Sequence, residues 1–280
     1  MNRKVVQQGP STLMVSLPTK WVKEQNIQKG DDIDVSEEHG RLVLTINKKQ
    51  QIVKKDFFEQ DLGILNKYFV NYAYHKGYDE VLFRFESDIA DELEKRVKDL
   101  IGFEIVEKKK NSILIKSLMQ INEQEFDTVL KKLFQVTLVI GDLILENKFA
   151  EASAMEKENN KYSDLCVRIL FKNKYKYPEN SFALFALLRE LEQVGDLYKM
   201  IAENYDASLK NIFEQIHAYF RLYYGLYYTY DAVKAQRFFS EKERLLGLLA
   251  QREKTVAVVY LTSLIHAIFD LKGLLFLQKV

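Results

Sequence analysis

The first 46 residues crowd four short extended segments and one short helix into a stretch too small to bury them. They read Arg3-Lys4-Val5-Val6-Gln7, a Gly9-Pro10 turn, Leu13-Met14-Val15-Ser16-Leu17, and a helix opening at Pro18 with Thr19-Lys20-Trp21-Val22-Lys23. A Lys29-Gly30-Asp31 turn, the run Ile33-Asp34-Val35, a His39-Gly40 turn and Arg41-Leu42-Val43-Leu44-Thr45-Ile46 follow. Glycine, proline and aspartate mark each reversal. Short strands are stable only when several share an apolar face, and a unit of this size rarely closes a core by itself. The pattern therefore predicts a unit that a second chain completes.

The whole chain has 280 residues, room for roughly two domains. Its net charge is +1, so no global field draws it to nucleic acid or membrane, and any basic surface is local. The first 23 residues supply one: Arg3, Lys4, Lys20 and Lys23, with no acid among them. A single cysteine, Cys166 between Leu165 and Val167, excludes an internal disulfide framework and reads as a small buried hydrophobe in a reducing cytoplasm. The N-terminus shows no apolar signal segment. The uncharged run Thr255–Phe269 is 15 residues long, short of the about 20 a membrane span needs, and reads as a buried helix. No membrane insertion is expected.

Periodicity divides the chain into residues 1–50, 52–118 and 120–280. The first alternates in strand fashion and ends in the polar Asn47–Gln51. In the second, Phe57 to His75 read as a helix stopped at Gly77, and Glu80–Phe85 as a strand. A helix capped by Ser87 or Asp88 runs through Leu100, and 103–107 with 112–116 form a hairpin around Lys109-Lys110-Asn111. In the third, three stripes step by three and four: Phe126 to Leu143, Leu184 to Tyr205, and Ile212 to Val233. They predict an antiparallel bundle of five or six helices, with breaks near Tyr177-Pro178, Asp206 and Phe239-Ser240 and a last helix from about Lys254 to Leu277. The expected class is multidomain α+β, mostly α. The run of Tyr and Phe from Tyr219 to Tyr230 reads as packing rather than a base-stacking platform, since Arg221 is its only cation.

On the second stripe Glu192 and Asp196 stand four apart, on one helical face, where like charges repel by a few tenths of a kcal/mol. Two readings fit: a solvated edge neutralised by Lys199 or Arg189, or a cation between the acids. Gly195, inside the helix, suggests close approach by something. In the last helix His266 and Asp270 are likewise four apart, a spacing that serves a metal or a plain hydrogen bond.

The words Leu17-Pro18-x-Lys20-Trp21 and Lys29-Gly30-Asp31-x-Ile33-x-Val35, in this order of elements, resemble the AbrB/MazE/SpoVT swapped-hairpin family over nearly all of residues 1–47. The resemblance implies an interleaved homodimer that binds DNA, with Arg3, Lys4, Lys20 and Lys23 as contacts. Leu187–Glu203, with Glu192-x-x-x-Asp196 and Ile201-Ala202-Glu203, resembles the signature helix of the PhoU family of phosphate-signalling proteins, over about residues 120–280. That resemblance implies a divalent or ferric metal on the bundle surface, held by Glu156, Asn160, Glu192 and Asp196. The sequence departs from the family with Asn160 in place of Asp, Leu197 in place of His, Met200 in place of Asn and Ala257 four residues after Glu253; Asp164 is a candidate substitute for the missing acid. His266 and Asp270 are the second-repeat candidates. Tyr72, Gly77–Val81 and Leu100–Glu107 resemble the segment that joins AbrB-type and PhoU-type halves in archaeal regulators.

Together these imply a cytoplasmic DNA-binding regulator linked to phosphate uptake, its bundle acting as sensor or docking domain. The alternative is a PhoU-type accessory protein on a phosphate transporter or signalling protein, the hairpin serving only to dimerise. An enzyme is not expected: the chain has no phosphate-cradling glycine loop, no supported Ser/His/Asp or Cys/His arrangement, and four histidines in all.

Overall fold

In the computed structural model, which describes residues 2–38, 41–45, 52–62, 68–119, 125–172, 180–273 and 275, the chain divides into two units, Met1–Gln51 and Ile52–Val280. In the first, β1 (Val6–Gln7) pairs antiparallel with β2 (Leu13–Met14), Val6 opposite Met14. Helix α1 (Thr19–Glu24) starts behind Pro18, whose extended backbone and missing N–H suit the position before a first turn, and stops at Asn26, φ 48°. Strands β3 (Asp34–Glu38) and β4 (Arg41–Thr45) pair with Val35 opposite Leu44 and Glu37 opposite Leu42. The expected turn at His39-Gly40, the strand end Ile46 and the linker Asn47–Gln51 lie outside the described residues. None of the unit's described side chains is buried. Val5, Val6, Leu13, Met14, Val15, Val35 and Leu42 are all exposed, and Trp21, Val22, Ile27, Ile33, Val43 and Leu44 are half-buried.

The second unit begins with β5 (Lys54–Phe58), where a helix from Phe57 was expected. β5 runs parallel to β6 (Glu80–Arg84), Phe57 opposite Phe83, and its ring packs against Phe69 at 5.7 Å and Tyr78 at 5.9 Å between centroids. A partner strand and an aromatic pocket override the local period here. Helices α2 (Glu59–Leu62) and α3 (Phe69–His75) make the crossover, and residues 63–67 of the expected helix lie outside the described ones. At Gly77, φ 80°, the chain leaves α3 in a left-handed conformation while packing against Lys172, so glycine serves both needs. Next come α4 (Ala90–Lys98), β7 (Phe103–Lys109) and β8 (Ser112–Ser117), giving a sheet of order β5-β6-β8-β7. The start of α4 is a second correction. Ser87 does not cap it, because the Glu59 carboxylate already accepts the N–H groups of Glu86 (2.7 Å) and Ser87 (3.0 Å) and the Ser87 hydroxyl. One sheet face buries Val81, Phe83, Ile113 and Ile115 with α3 and α4; the other carries the ladder Lys54–Glu80–Lys116, at 3.0 and 3.1 Å.

Six long helices follow among the described residues: α5 (Phe126–Leu145), α6 (Phe149–Lys172), α7 (Ser181–Glu203), α8 (Lys210–Tyr228), α9 (Ala232–Ala250) and α10 (Val256–Asp270). They form two consecutive three-helix sets, α5-α6-α7 and α8-α9-α10, joined where α7 meets α10 and α5 meets α8. The stripe residues Leu133, Ile140, Leu187, Leu191, Val194, Ile216 and Tyr223 all face this core. The expected break at Phe239-Ser240 is absent: α9 runs through it, Phe238 is buried, and the Ser240 hydroxyl donates to the Arg237 carbonyl at 3.0 Å within the helix. The break falls earlier, where Asp231 accepts the Lys234 N–H at 2.8 Å as an N-cap. Tyr205 and Tyr230 lie just beyond their helices. Tyr177-Pro178 and the end at Leu277 are outside the described residues. Tyr219, Phe220 and Tyr223 are buried, and so is Cys166, whose thiol pKa burial pushes up. No described helix is long and apolar enough to cross a membrane.

Sheet and bundle share one core, and Asp79 ties them. Its Oδ1 takes Nη2 of the buried Arg168 at 3.2 Å and Lys172, both on α6; its Oδ2 accepts the Val53 N–H at 3.1 Å; its own N–H donates to the Val53 carbonyl at 2.8 Å.

Candidate functional site

Arg3 and Lys4 were expected on the first strand. They precede it, because antiparallel pairing stops at Val6 opposite Met14. Arg3 is held instead by its side chain, Nη1 donating to the Ser16 hydroxyl at 3.3 Å across the two chain segments. Lys20 and Lys23 stand on α1, exposed, with Lys20 3.8 Å from Glu24. An exposed i,i+4 pair contributes under about 0.5 kcal/mol, so Lys20 is readily released to another anion. Arg3, Lys4, Lys20 and Lys23 are all exposed among exposed apolar residues of the same unit. Such side chains suit phosphate contacts and, for arginine, a base edge.

The acidic face of the bundle is built differently. Glu156 on α6 is 4% exposed; its Oε1 accepts from Asn160 Nδ2 at 2.6 Å and its Oε2 lies 3.2 Å from Lys199 Nζ on α7. Glu192 is ion-paired with Arg189 one turn away. Burial raises the pKa of Glu192, and burial followed by the neighbouring Glu156 carboxylate raises that of Asp196. Asp164 is taken by α3: His75 Nε2 lies 2.6 Å from its Oδ1 and Asn71 Nδ2 3.5 Å from its Oδ2. Gly195 admits Asn159, whose Oδ1 would lie 2.7 Å from a Cβ there. That is the close approach the helix-interior glycine signalled.

These residues do not fit a divalent or ferric ion. The Glu156 oxygens already meet an amide and an ammonium, and Glu192 a guanidinium, so cations of the chain sit where an ion would need free lone pairs. Asn159 Oδ1, Asn160 Oδ1 and Ser163 Oγ lack a hydrogen-bond partner, but they are neutral and add no charge for an ion. His266 and Asp270 are both exposed, and Asp270 pairs with Lys272 at 3.1 Å. Among the described residues no group of three or more His, Cys, Asp and Glu side chains converges to hold a metal.

Sequence reasoning missed a third polar cluster. His217 on α8 is buried, with Nδ1 2.8 Å from the Tyr198 hydroxyl and Nε2 3.1 Å from Asp142 Oδ1, which Arg221 also pairs. A carboxylate only accepts, so Nε2 carries the proton and Nδ1 accepts from Tyr198. Burial, and then Arg221, lower the His217 pKa to about 4. Gly141 leaves room for the ring. No motif links these residues along the chain; α5, α7 and α8 bring them together.

Residues 6–53 match the family model described as antidote-toxin recognition MazE, bacterial antitoxin. The N-terminal segment is MazE-like. No curated protein and no solved structure matches the chain. The MazE-like segment ends at Val53, the residue Asp79 holds, and contains Lys20 and Lys23; Arg3 and Lys4 lie just before it. Its turns at Gly9 and Gly30, with φ of 79° and 99°, carry the glycines that marked it in the sequence.

Proposed function

We propose that the chain is a DNA-binding transcriptional regulator that acts as a homodimer through its MazE-like segment, without catalysis. The carrying observation is that the N-terminal unit leaves apolar residues and cations exposed together. Burying a Val or Leu contributes about 1.5–3 kcal/mol, so seven exposed ones forfeit on the order of 10 kcal/mol, as much as a whole domain's stability. A second copy recovers that energy and doubles Arg3, Lys4, Lys20 and Lys23 into about eight positive groups, enough for steeply salt-dependent DNA binding. The matched family's description names recognition of a toxin; the four exposed cations in a stretch of 23 residues without an acid favour DNA as the ligand here. The bundle then serves as sensor or docking domain, and a link to phosphate uptake rests on its resemblance to the PhoU family.

Selection of bound fragments from sheared genomic DNA, with wild type beside Arg3→Ala/Lys4→Ala, tests this. Enrichment of a few promoter fragments by wild type alone is expected. If neither protein enriches any, or both recover the same random fragments, the segment only dimerises, and the accessory-protein reading with a phosphate transporter or signalling partner takes its place.

A further inference from the structure

Three of the acids that α6 and α7 gather on one face have partners within the chain. Glu156 meets Lys199 and Asn160, Glu192 meets Arg189, and Asp164 meets His75 and Asn71. Asp196 stands one turn before Lys199 on α7, and burial, followed by the nearby Glu156 carboxylate, raises its pKa. We infer that Lys199 is a tethered cation that takes the place of a metal ion beside Glu156, so that this buried carboxylate is neutralised without metal.

The argument is one of charge and access. Glu156 is nearly inaccessible, and a carboxylate in that position is unfavourable unless it is paired. A lysine ammonium is a compact point charge with three donors, able to neutralise a buried acid from its own stem. It is anchored one helical turn from Asp196, so it loses no translational freedom on binding, as a free ion would. A metal entering this face would have to displace Lys199, break the Asn160 amide bond to Glu156, and then stand against two retained cations, Lys199 and Arg189. Asn160 supports the same outcome: where an aspartate would add a second negative ligand, its amide donates to Glu156 instead.

The test uses the full chain and Mn²⁺ as probe, following ion uptake after dialysis and Tm with Mn²⁺ or with EDTA. Wild type is expected to retain no stoichiometric Mn²⁺ and to show one Tm in both conditions. Lys199→Met, which keeps the stem and removes the charge, is expected to melt several degrees lower in EDTA. In Mn²⁺ it recovers and takes up about one ion per chain, while Lys199→Arg behaves as wild type. If wild type binds Mn²⁺ and Glu156→Gln abolishes the uptake, or if folded Lys199→Met gains no ion, the inference is overturned. Should Lys199→Met fail to fold even with Mn²⁺, the comparison of wild type with Glu156→Gln decides alone.

Discussion

Arg168, with no exposed side-chain surface, donates from Nη2 to Oδ1 of Asp79 at 3.2 Å, joining the second turn from the end of α6 to the root of β6. Nη1 donates to the Tyr74 carbonyl at 2.7 Å, and the guanidinium lies over the rings of Tyr74 and Phe103 at 4.8 and 4.9 Å. A buried cation so enclosed is stable only while its counter-charge is present. Asp79→Ala leaves Arg168 unpaired and also frees Lys172 and the Val53 amide. It is expected to cost about 3–5 kcal/mol, read as a lower midpoint in urea with unchanged slope.

The buried His217 sets an acid limit on stability. Its folded pKa is lowered from 6.5 to about 4, so the folded state binds the proton less well than the unfolded chain. The stabilisation from its neutral form is complete above about pH 6.5 and is lost as pH falls towards 4, up to roughly 3 kcal/mol. Urea midpoints from pH 7 to pH 4.5 are expected to fall along this limb. Replacing His217 with Gln is expected to flatten it.

The helix glycines separate into two kinds. A Cβ at Gly195 would meet Asn159 Oδ1 at 2.7 Å, and one at Gly141 would run into the His217 ring. Alanine at either is expected to destabilise by about 1–3 kcal/mol despite its better helix propensity. Gly225 on α8 and Gly247 on α9 have nothing within 4 Å, and alanine there is expected to stabilise by about 0.5–1 kcal/mol. Thermal melts of the four variants measure both signs.

Phosphate contacts by Arg3, Lys4, Lys20 and Lys23 predict a steep salt dependence of DNA affinity. With about eight contacts per dimer, the slope of log K against log salt is about −7, and Arg3→Ala is expected to reduce it by about two, one per subunit. Titrations of a selected fragment across salt concentrations measure it.

The exposed apolar residues of the N-terminal unit predict their own assay. Leu13→Asp or Leu42→Asp places a charge where a second copy would cover leucine, 71% and 70% exposed in the single chain. Light scattering is expected to show a monomer at concentrations where wild type is a dimer, with the helical content of residues 52–280 retained.

Much of this architecture was legible along the chain because it is carried by near neighbours. Pro18 opening α1, the glycine turns at 9 and 30, and the steps of three and four through Leu133, Leu187 and Ile216 are local signals. The helices appear where those steps run. Misreadings arose where a distant partner won: Phe57 is in a strand because β6 lies beside it, Ser87 does not cap because Glu59 holds it, and Ser240 does not break α9 because Phe238 is anchored in the core.

The candidate sites divide along the same line. The sequence by itself determined the basic cluster at Arg3, Lys4, Lys20 and Lys23 and the MazE-like order of elements, since both depend on residue type and short spacing. It also showed that Glu192 and Asp196 share a helical face, with Lys199 and Arg189 as candidate neutralisers. Only the tertiary structure decided which acid each cation meets. Lys199 reaches Glu156 across 43 positions of sequence and His75 reaches Asp164 across 89. Charge pairing in a bundle depends on which helix faces which, and that is settled by the packing of the whole core rather than by any local run of residues.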